Sequence, residues 1–496
     1  MGRICRLGPP FPPLSIVYYP RTVHSSTVPY ESLPEPSNWP RLLNSPVNDC
    51  ENNRLFPMPL ATFERYMWAD DWRPYPADGF LCLTFRGRLR HDVFEDALQA
   101  ALARHPLMQA WIRQDSRGRP VWVEAVHRRP FITWDPQIRP PQCPLGPTID
   151  LRREIGARFF LTEDGERTNM LMQMHHTCCD GLALVQIAED VLIEYQRRVA
   201  GASAAPQLRP LDAQRLHRRG HFGLGWLGLL RRVPLDLAAG LAAFEYFGHR
   251  PVPIGPPTLP PQDAGVPDNY PALASHTLTL EETDRLRAAA KQHRVTVNDL
   301  LLCDLFMALQ SVLAAADPEN ARRIVRIMVP MNLRVSGDEA TPAANLVSMT
   351  YLDRRPTRFP DAGKLLRSIH REMRLLKAVR AGITLIRGIQ VAERLPGGLR
   401  TILPYDRCLA TAVLSNMGVA ERVMRCAQTD GLYRAGDAIL ESISAAPPLR
   451  PLTRASFITI SYAGRLTITL QYDSHVMNAM EGRSLLDRFV EQIRQR

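Results

Sequence analysis

The string Met174-His175-His176-Thr177-Cys178-Cys179-Asp180-Gly181 gathers two imidazoles, two thiols and a carboxylate into one short stretch of a 496-residue chain. Thr168 to His176 suits a strand, on which Met170, Met172, Met174 and His176 share one face and Leu171, Gln173 and His175 the other. The two histidines therefore point to opposite sides and need not do the same work. A neutral imidazole can take a proton from an alcohol or amine as it attacks a carbonyl, and one histidine suffices for that step without a covalent enzyme intermediate. Asp180, at the turn, is placed to hold the local backbone or to pair with an arginine. Gly181 permits a tight turn into a following helix.

Three other chemistries compete for the same residues. A zinc site would have ligands enough, but the adjacent pairs lack the usual C-x-x-C or H-x-x-x-H spacing, so no metal is expected. A nucleophilic Cys178 or Cys179 with a histidine base has no local signature of its own. The plainest alternative is a buried strand end with two satisfied histidines.

The motif needs a strand, a turn and a helix to position it, and the neighbouring pattern supplies them. From Leu184 a helix puts Ile187, Ala188, Val191, Leu192 and Tyr195 on one face. Upstream, Phe80 to Phe85 suits a strand, and Phe94, Ala97, Leu98, Ala101 and Leu102 fall at helical spacing until His105-Pro106 stops the helix. Short strands are expected at Met108–Ile112 and Val121–Val126. Eight prolines between Pro251 and Pro271 read as a connector. Beyond it Thr279-Leu280-Glu281-Glu282 forms a capping box, and Val297 to Ala315 is a long apolar helix taken as buried between layers. Strands are expected at Ile324–Val329, Leu346–Leu352, Ala410–Leu414 and Ala438–Ile443, with a hairpin joining Ala455–Tyr462 to Arg465–Tyr472 through Ala463-Gly464. A terminal helix starts near Asn478. The reading is a two-lobed α/β chain: an irregular Pro-rich tail over 1–55, a first lobe over 56–200, an apolar segment and connector over 201–271, and a second lobe over 272–496.

Composition narrows the partners. Hydrophobic residues at 45% and charged residues at 22% are ordinary for a globular protein and exclude global disorder. The net charge of +11 comes mostly from scattered arginine, and no helix-turn-helix, zinc-finger or RNA-stacking signature accompanies it, so no nucleic acid is expected. Nine irregularly placed cysteines without a secretory pattern fit a reducing compartment, the cytoplasm, better than a disulfide framework. The apolar stretch Phe222 to Phe247 is interrupted by Arg231, Arg232, Pro234 and Asp236 and does not span a membrane. It is a candidate for peripheral contact with a membrane surface; the competing reading packs it as a helical hairpin on the protein.

His175-His176-Thr177-Cys178-Cys179-Asp180-Gly181 resembles the HHxxxDG signature of the chloramphenicol-acetyltransferase-like superfamily, which includes condensation domains and wax ester synthase/diacylglycerol acyltransferases. Other matches follow in order. Gly87-Arg88-Leu89 and Arg104-His105-Pro106-Leu107 look like the opening of condensation-type domains. Asn298-Asp299, Met328 to Arg334, Asn345 to Ser348 and Leu414-Ser415-Asn416-Met417-Gly418 resemble the wax ester synthase branch. The resemblance covers most of 56–496. Two segments depart from it: Gly156-Ala157-Arg158-Phe159-Phe160 stands where that branch has Pro-Leu-Trp, and the Asp-Phe-Gly-Trp-Gly of condensation domains is absent.

The resemblance implies two chloramphenicol-acetyltransferase-like lobes in a V-shaped pseudo-dimer, with the motif in a central channel. It implies an acyltransferase for groups other than aminoacyl groups, with His176 as general base and His175 and Asp180 mainly structural. Arg334 from the second lobe is the candidate partner of Asp180, and Asn298, Ser415 and Asn416 are supporting residues. No bound cofactor is expected. Acyl-CoA or a phosphopantetheinyl thioester would be the donor, a small hydroxyl or amine compound the acceptor, and any carrier protein a separate chain. Condensation on carrier-bound substrates is the second enzymatic reading, and a non-catalytic binder of acyl ligands or partner proteins is the third.

Overall fold

In a computed structural model, residues 55–496 are described except 127, 226, 229, 238–247, 356 and 358–360. The expected irregular tail over 1–55 therefore lies, but for Leu55, outside the described residues, as do residues 226, 229 and 238–247 of the apolar stretch Phe222 to Phe247.

Two mixed sheets carry the chain. The first has seven strands in the order Gln428–Thr429, Leu432–Ala435, Ala438–Ala446, Asp78–Arg86, Arg167–His175, Ala157–Asp164 and Phe131–Thr133. The second has six: Val347–Arg354, Val325–Asn332, Ala412–Val419, Ala455–Tyr462, Arg465–Tyr472 and Leu273–Thr277. A small third sheet joins Met58–Pro59, Pro120–Glu124 and Ala110–Gln114. The segment after 272 thus serves both large sheets: Ala438–Ala446 pairs antiparallel with Asp78–Arg86, which in turn pairs with the motif strand Arg167–His175.

Local sequence explains the elements that carry the motif. The helix His91–Ala103 buries Phe94, Ala97, Leu98, Ala101 and Leu102 and packs against Gly181–Ala200. His105, held before Pro106 at φ −119°, ψ 84°, cannot continue it. The motif helix begins at Gly181, not at Leu184, because the Asp180 side chain accepts from the Ala183 amide at 3.0 Å and caps it.

In the second lobe the box of Thr279 and Glu282 caps Leu280–Gln292. Val297–Ala316 is, among the described residues, the one helix long and apolar enough by composition to cross a membrane. Here Leu300, Leu301, Leu302, Leu305 and Leu309 are wholly buried in the lobe's core. Each such side chain contributes about 1.5–3 kcal/mol of burial energy. The hairpin Ala455–Tyr462/Arg465–Tyr472 turns through Ala463 (φ 49°) and Gly464 (φ 76°), the left-handed pair that matches strand twist. Two further helices, Ala362–Ala378 and Ala381–Ala392, fill a region to which the sequence pattern assigned none. The connector is not free of the core: Val252 and Ile254 are buried in the second lobe, and Arg454 donates to the Pro256 and Thr258 carbonyls at 3.0 and 2.6 Å.

Candidate active site

Strand alternation separates the two histidines at the end of Arg167–His175. His175 lies opposite Asp78 and on the same face as Gln173, which donates to Asp78 Oδ2 at 2.8 Å. That face is a buried polar layer. His175 is 1% exposed, with its Nε2 3.4 Å from Asp71 Oδ2, and the Thr177 amide donates to its Nδ1 at 3.2 Å. Burial opposes the charged ring, but Asp71 and Asp78 outweigh it and draw the His175 pKa upward. The Thr177 amide on Nδ1 acts the other way, favouring the ring that keeps its proton on Nε2, toward Asp71. His175 is thereby occupied on Nδ1 by the Thr177 amide and, buried with Nε2 turned toward Asp71, presents no open edge to a substrate.

His176 is different. Its amide donates to the Ala77 carbonyl at 2.7 Å, its Nδ1 is buried, and the residue is half-buried, so the accessible edge of the ring is the Nε2 side. Burial holds its pKa below the ordinary imidazole value, against the opposing pull of its own backbone and of Asp180. A neutral ring with one nitrogen inward and the other outward is what proton abstraction requires.

The second lobe grips this turn from the other side. Arg334 follows the strand Val325–Asn332 and places two nitrogens on the two oxygens of Asp180, each at 2.9 Å. Asn332 accepts from the Arg334 amide at 3.1 Å and holds the guanidinium's approach. Asp180 also accepts from the Leu346 amide at 2.8 Å. Burial opposes its ionisation, but Arg334 and two backbone amides override it and hold the carboxyl below the usual range. Asn345, 1% exposed, donates to the carbonyls of His176 and Thr177 at 2.8 and 2.9 Å. One segment of the second lobe therefore fixes the aspartate and the backbone of the accessible histidine together.

Gly181 is not in the left-handed region. A Cβ there would stand 3.3 Å from Cε of Met417, so what the site needs is close approach by the strand Ala412–Val419, not a turn conformation. This brings the end of that strand to the motif. Ser415 is half-buried in it and Asn416 is exposed, its Oδ1 accepting from the Gly418 amide at 2.9 Å. Asn298 is elsewhere: it sits half-buried in the first turn of Val297–Ala316, a helix that packs on Ala362–Ala378 and Ala479–Arg494. No hydrogen bond among the described residues joins it to the motif.

Cys178 and Cys179 are both fully buried, and burial pushes both thiols well above their ordinary pKa, which disarms them as nucleophiles. Among the described residues no group of three or more His, Cys, Asp or Glu side chains is arranged to hold a metal ion.

Sequence reasoning quoted two positioning residues within the resemblance but gave them no role in the site. Asn345 is one; the only local signal was a polar residue just before an apolar strand. His105 is the other. Its Nδ1 accepts from the Ala343 amide at 2.9 Å while Nε2 lies 3.2 Å from a carboxylate oxygen of Asp190 in the motif helix, so the ring bridges that helix and the second lobe. The tell was a histidine locked before proline at the end of a buried helix.

No protein-family model matches the chain, and no curated protein matches it. Solved structures do. The first condensation domain of the calcium-dependent antibiotic synthetase, in complex with a substrate analogue, aligns at TM-score 0.63 and 16% identity, covering 88% of this chain and 95% of that one. Polyketide synthase associated protein 5 from Mycobacterium tuberculosis aligns at TM-score 0.57 and 17% identity, covering 88% and 96%. The starter condensation domain of rhizomide synthetase, in complex with C8-CoA, aligns at TM-score 0.58 and 14% identity, covering 88% and 94%. The chain has the two-lobed α/β fold of these proteins.

Proposed function

We propose that the chain is an acyltransferase that moves an acyl group from a thioester to a hydroxyl or amine, with His176 as general base. The observation that carries this reading is the state of His176: neutral by burial, half-accessible, and backed by a turn that Asn345 and Arg334 hold from the second lobe. Nε2 of His176 takes the proton of the acceptor O–H or N–H as the acceptor attacks the thioester carbonyl. The C–S bond then breaks, and the leaving thiolate recovers the proton from the imidazolium. No covalent enzyme intermediate is formed. Asp180 keeps the turn in place without touching the reacting atoms, and the buried His175, turned toward Asp71, is kept apart from the reaction.

Acyl-CoA is the preferred donor and ester formation the preferred outcome, on the likeness of Asn298-Asp299 and Ser415-Asn416 to the wax ester synthase branch. A fold neighbour solved with C8-CoA supports the donor class. A second reading has its own support: several of the similar structures are condensation domains of synthetases, which favours condensation on a carrier-bound thioester delivered by a separate protein. Mass spectrometry of products from a donor-by-acceptor panel, with His176→Ala as control, tests the proposal. Thiol release and acylated acceptor are expected with the wild type alone. Products that require an added carrier protein would select the second reading, and no turnover with any pair would leave a binding protein.

A further inference from the structure

The segment just after the first lobe contains a helix that is turned inside out. Residues 227–228 and 230–237 are helical. Arg232 donates to the carbonyls of Val379 and Arg380 at 2.9 and 3.2 Å and to Thr384 Oγ1 at 2.9 Å. One turn on, Asp236 accepts from Thr384 at 3.0 Å and pairs with Arg387 at 2.7 Å. The face that docks on the protein is thus the charged one. Leu227, Leu230, Val233 and Leu237, spaced by three, three and four residues, occupy the opposite face and are 53%, 58%, 39% and 68% exposed. A helix that folded for its own protein's core would present the leucines inward. An outward row of four aliphatic side chains marks an interaction surface.

The charge nearby identifies the partner. The Arg232 contacts lie at Val379 and Arg380, where the helix Ala362–Ala378 ends. Along that helix Lys364, Arg367, Arg371 and Arg374 are exposed at spacings of three, four and three, and Lys377 and the exposed Leu375 follow in its last turn. None of these five cations forms a salt bridge with a described residue, whereas Glu372 on the same helix is turned to Arg354 at 2.8 Å. Arg231, within the inverted helix itself, is exposed as well. A second copy of this chain would bring a like cationic row against this one. An anionic lipid surface complements both features at once, taking the aliphatic side chains at the headgroup boundary and pairing the cations with lipid charge. We propose that this corner binds anionic membranes peripherally and reversibly, with Leu227, Leu230, Val233 and Leu237 entering the interface.

Sedimentation of the full chain with vesicles tests this. Wild type should pellet with phosphatidylglycerol-rich vesicles at low salt, be released by salt within the Debye-screening range, and stay in the supernatant with pure phosphatidylcholine. Leu230→Asp with Leu237→Asp should weaken pelleting by at least about tenfold, and Arg371→Glu with Arg374→Glu should remove much of the salt-sensitive part. Both double variants should melt like wild type and turn over a soluble thioester normally, since neither pair touches the His176 site. Wild-type protein left in the supernatant at low salt, or leucine variants that pellet as wild type does, would overturn the proposal. So would a wild-type dimer, seen without lipid by analytical ultracentrifugation, that the leucine variants convert to monomer.

Discussion

Arg334 and Asp180 meet in a two-pronged ion pair across the two lobes, with both N–O distances at 2.9 Å and the aspartate 3% exposed. The same carboxylate caps the motif helix and accepts from the Leu346 amide, so one side chain joins helix start, turn and opposite lobe. Removing Arg334 leaves the Asp180 charge buried alone, at a typical cost of about 3–5 kcal/mol, whereas removing Asp180 leaves Arg334 partly exposed but also takes away the helix cap. Asp180→Ala and Arg334→Ala should each lower the urea midpoint substantially and reduce turnover with it. An Asp180→Ala protein that unfolds like wild type yet is inactive would give Asp180 a direct part in the chemistry.

His176→Ala should fold and melt normally while turnover drops by on the order of 10²–10⁴, the usual share of a general base. The pH profile gives a sharper check. Burial lowers the His176 pKa, and the base must be unprotonated, so kcat should be flat through neutral pH and fall only as acid reaches that depressed value, below the ordinary ~6.5 of imidazole. An acidic limb centred above ~6.5 would contradict a buried neutral His176.

Gly156 predicts a paired effect. A Cβ at this position would overlap Sγ of Cys178, beneath the motif turn. Gly156→Ala should cost about 1–3 kcal/mol by overpacking and displace the turn enough to slow turnover. Gly156→Ala with Cys178→Ala removes the clashing sulfur, and thermal melts should show most of the loss recovered. If the double variant is as unstable as the single, the clash with Cys178 is not the reason for glycine.

Asp78 makes stability fall with rising pH. Burial pushes its carboxyl up to about 7. The folded state thus holds a proton that the unfolded chain releases near the ordinary ~4, and native stability declines as pH climbs from ~4 toward ~7. Asp78→Asn keeps an oxygen for Gln173 and removes the titration. Relative to wild type it should be more stable at pH 8 than at pH 5 in urea unfolding. An equal difference at the two pH values would show that Asp78 does not titrate in that window.

What the sequence displays well is whatever depends on neighbours along the chain. The hairpin of Ala455–Tyr462 and Arg465–Tyr472 is readable to the residue, because period-two alternation brackets an Ala-Gly turn. The motif strand and the helix of Phe94 to Leu102 are readable from their periods in the same way. The second lobe's helices Ala362–Ala378 and Ala381–Ala392 are not, since they meet at Val379-Arg380 with neither glycine nor proline to mark the break; Arg380 itself takes φ 48°. Long-range partners leave no local trace at all. Nothing near Asn345 says that it will hold the carbonyl of His176, and Arg334 was a candidate for Asp180 through resemblance, not through spacing. The helix cap shows the same limit on a smaller scale: Asp180 was readable as a turn residue, but the helix start three residues before Leu184 depends on where its carboxylate points.

The pairing of Ala438–Ala446 with Asp78–Arg86 has a consequence for how the protein is made. During synthesis the histidine-bearing sheet waits with one edge unpaired until Ala438–Ala446, about 350 residues after Asp78–Arg86, has emerged. Such an edge is a template for wrong partners, and its late, long-range closure slows folding. A fragment ending at the connector would carry both histidines on an unfinished sheet and should aggregate. The two halves share one sheet and so form a single folding unit that closes only when its second half arrives.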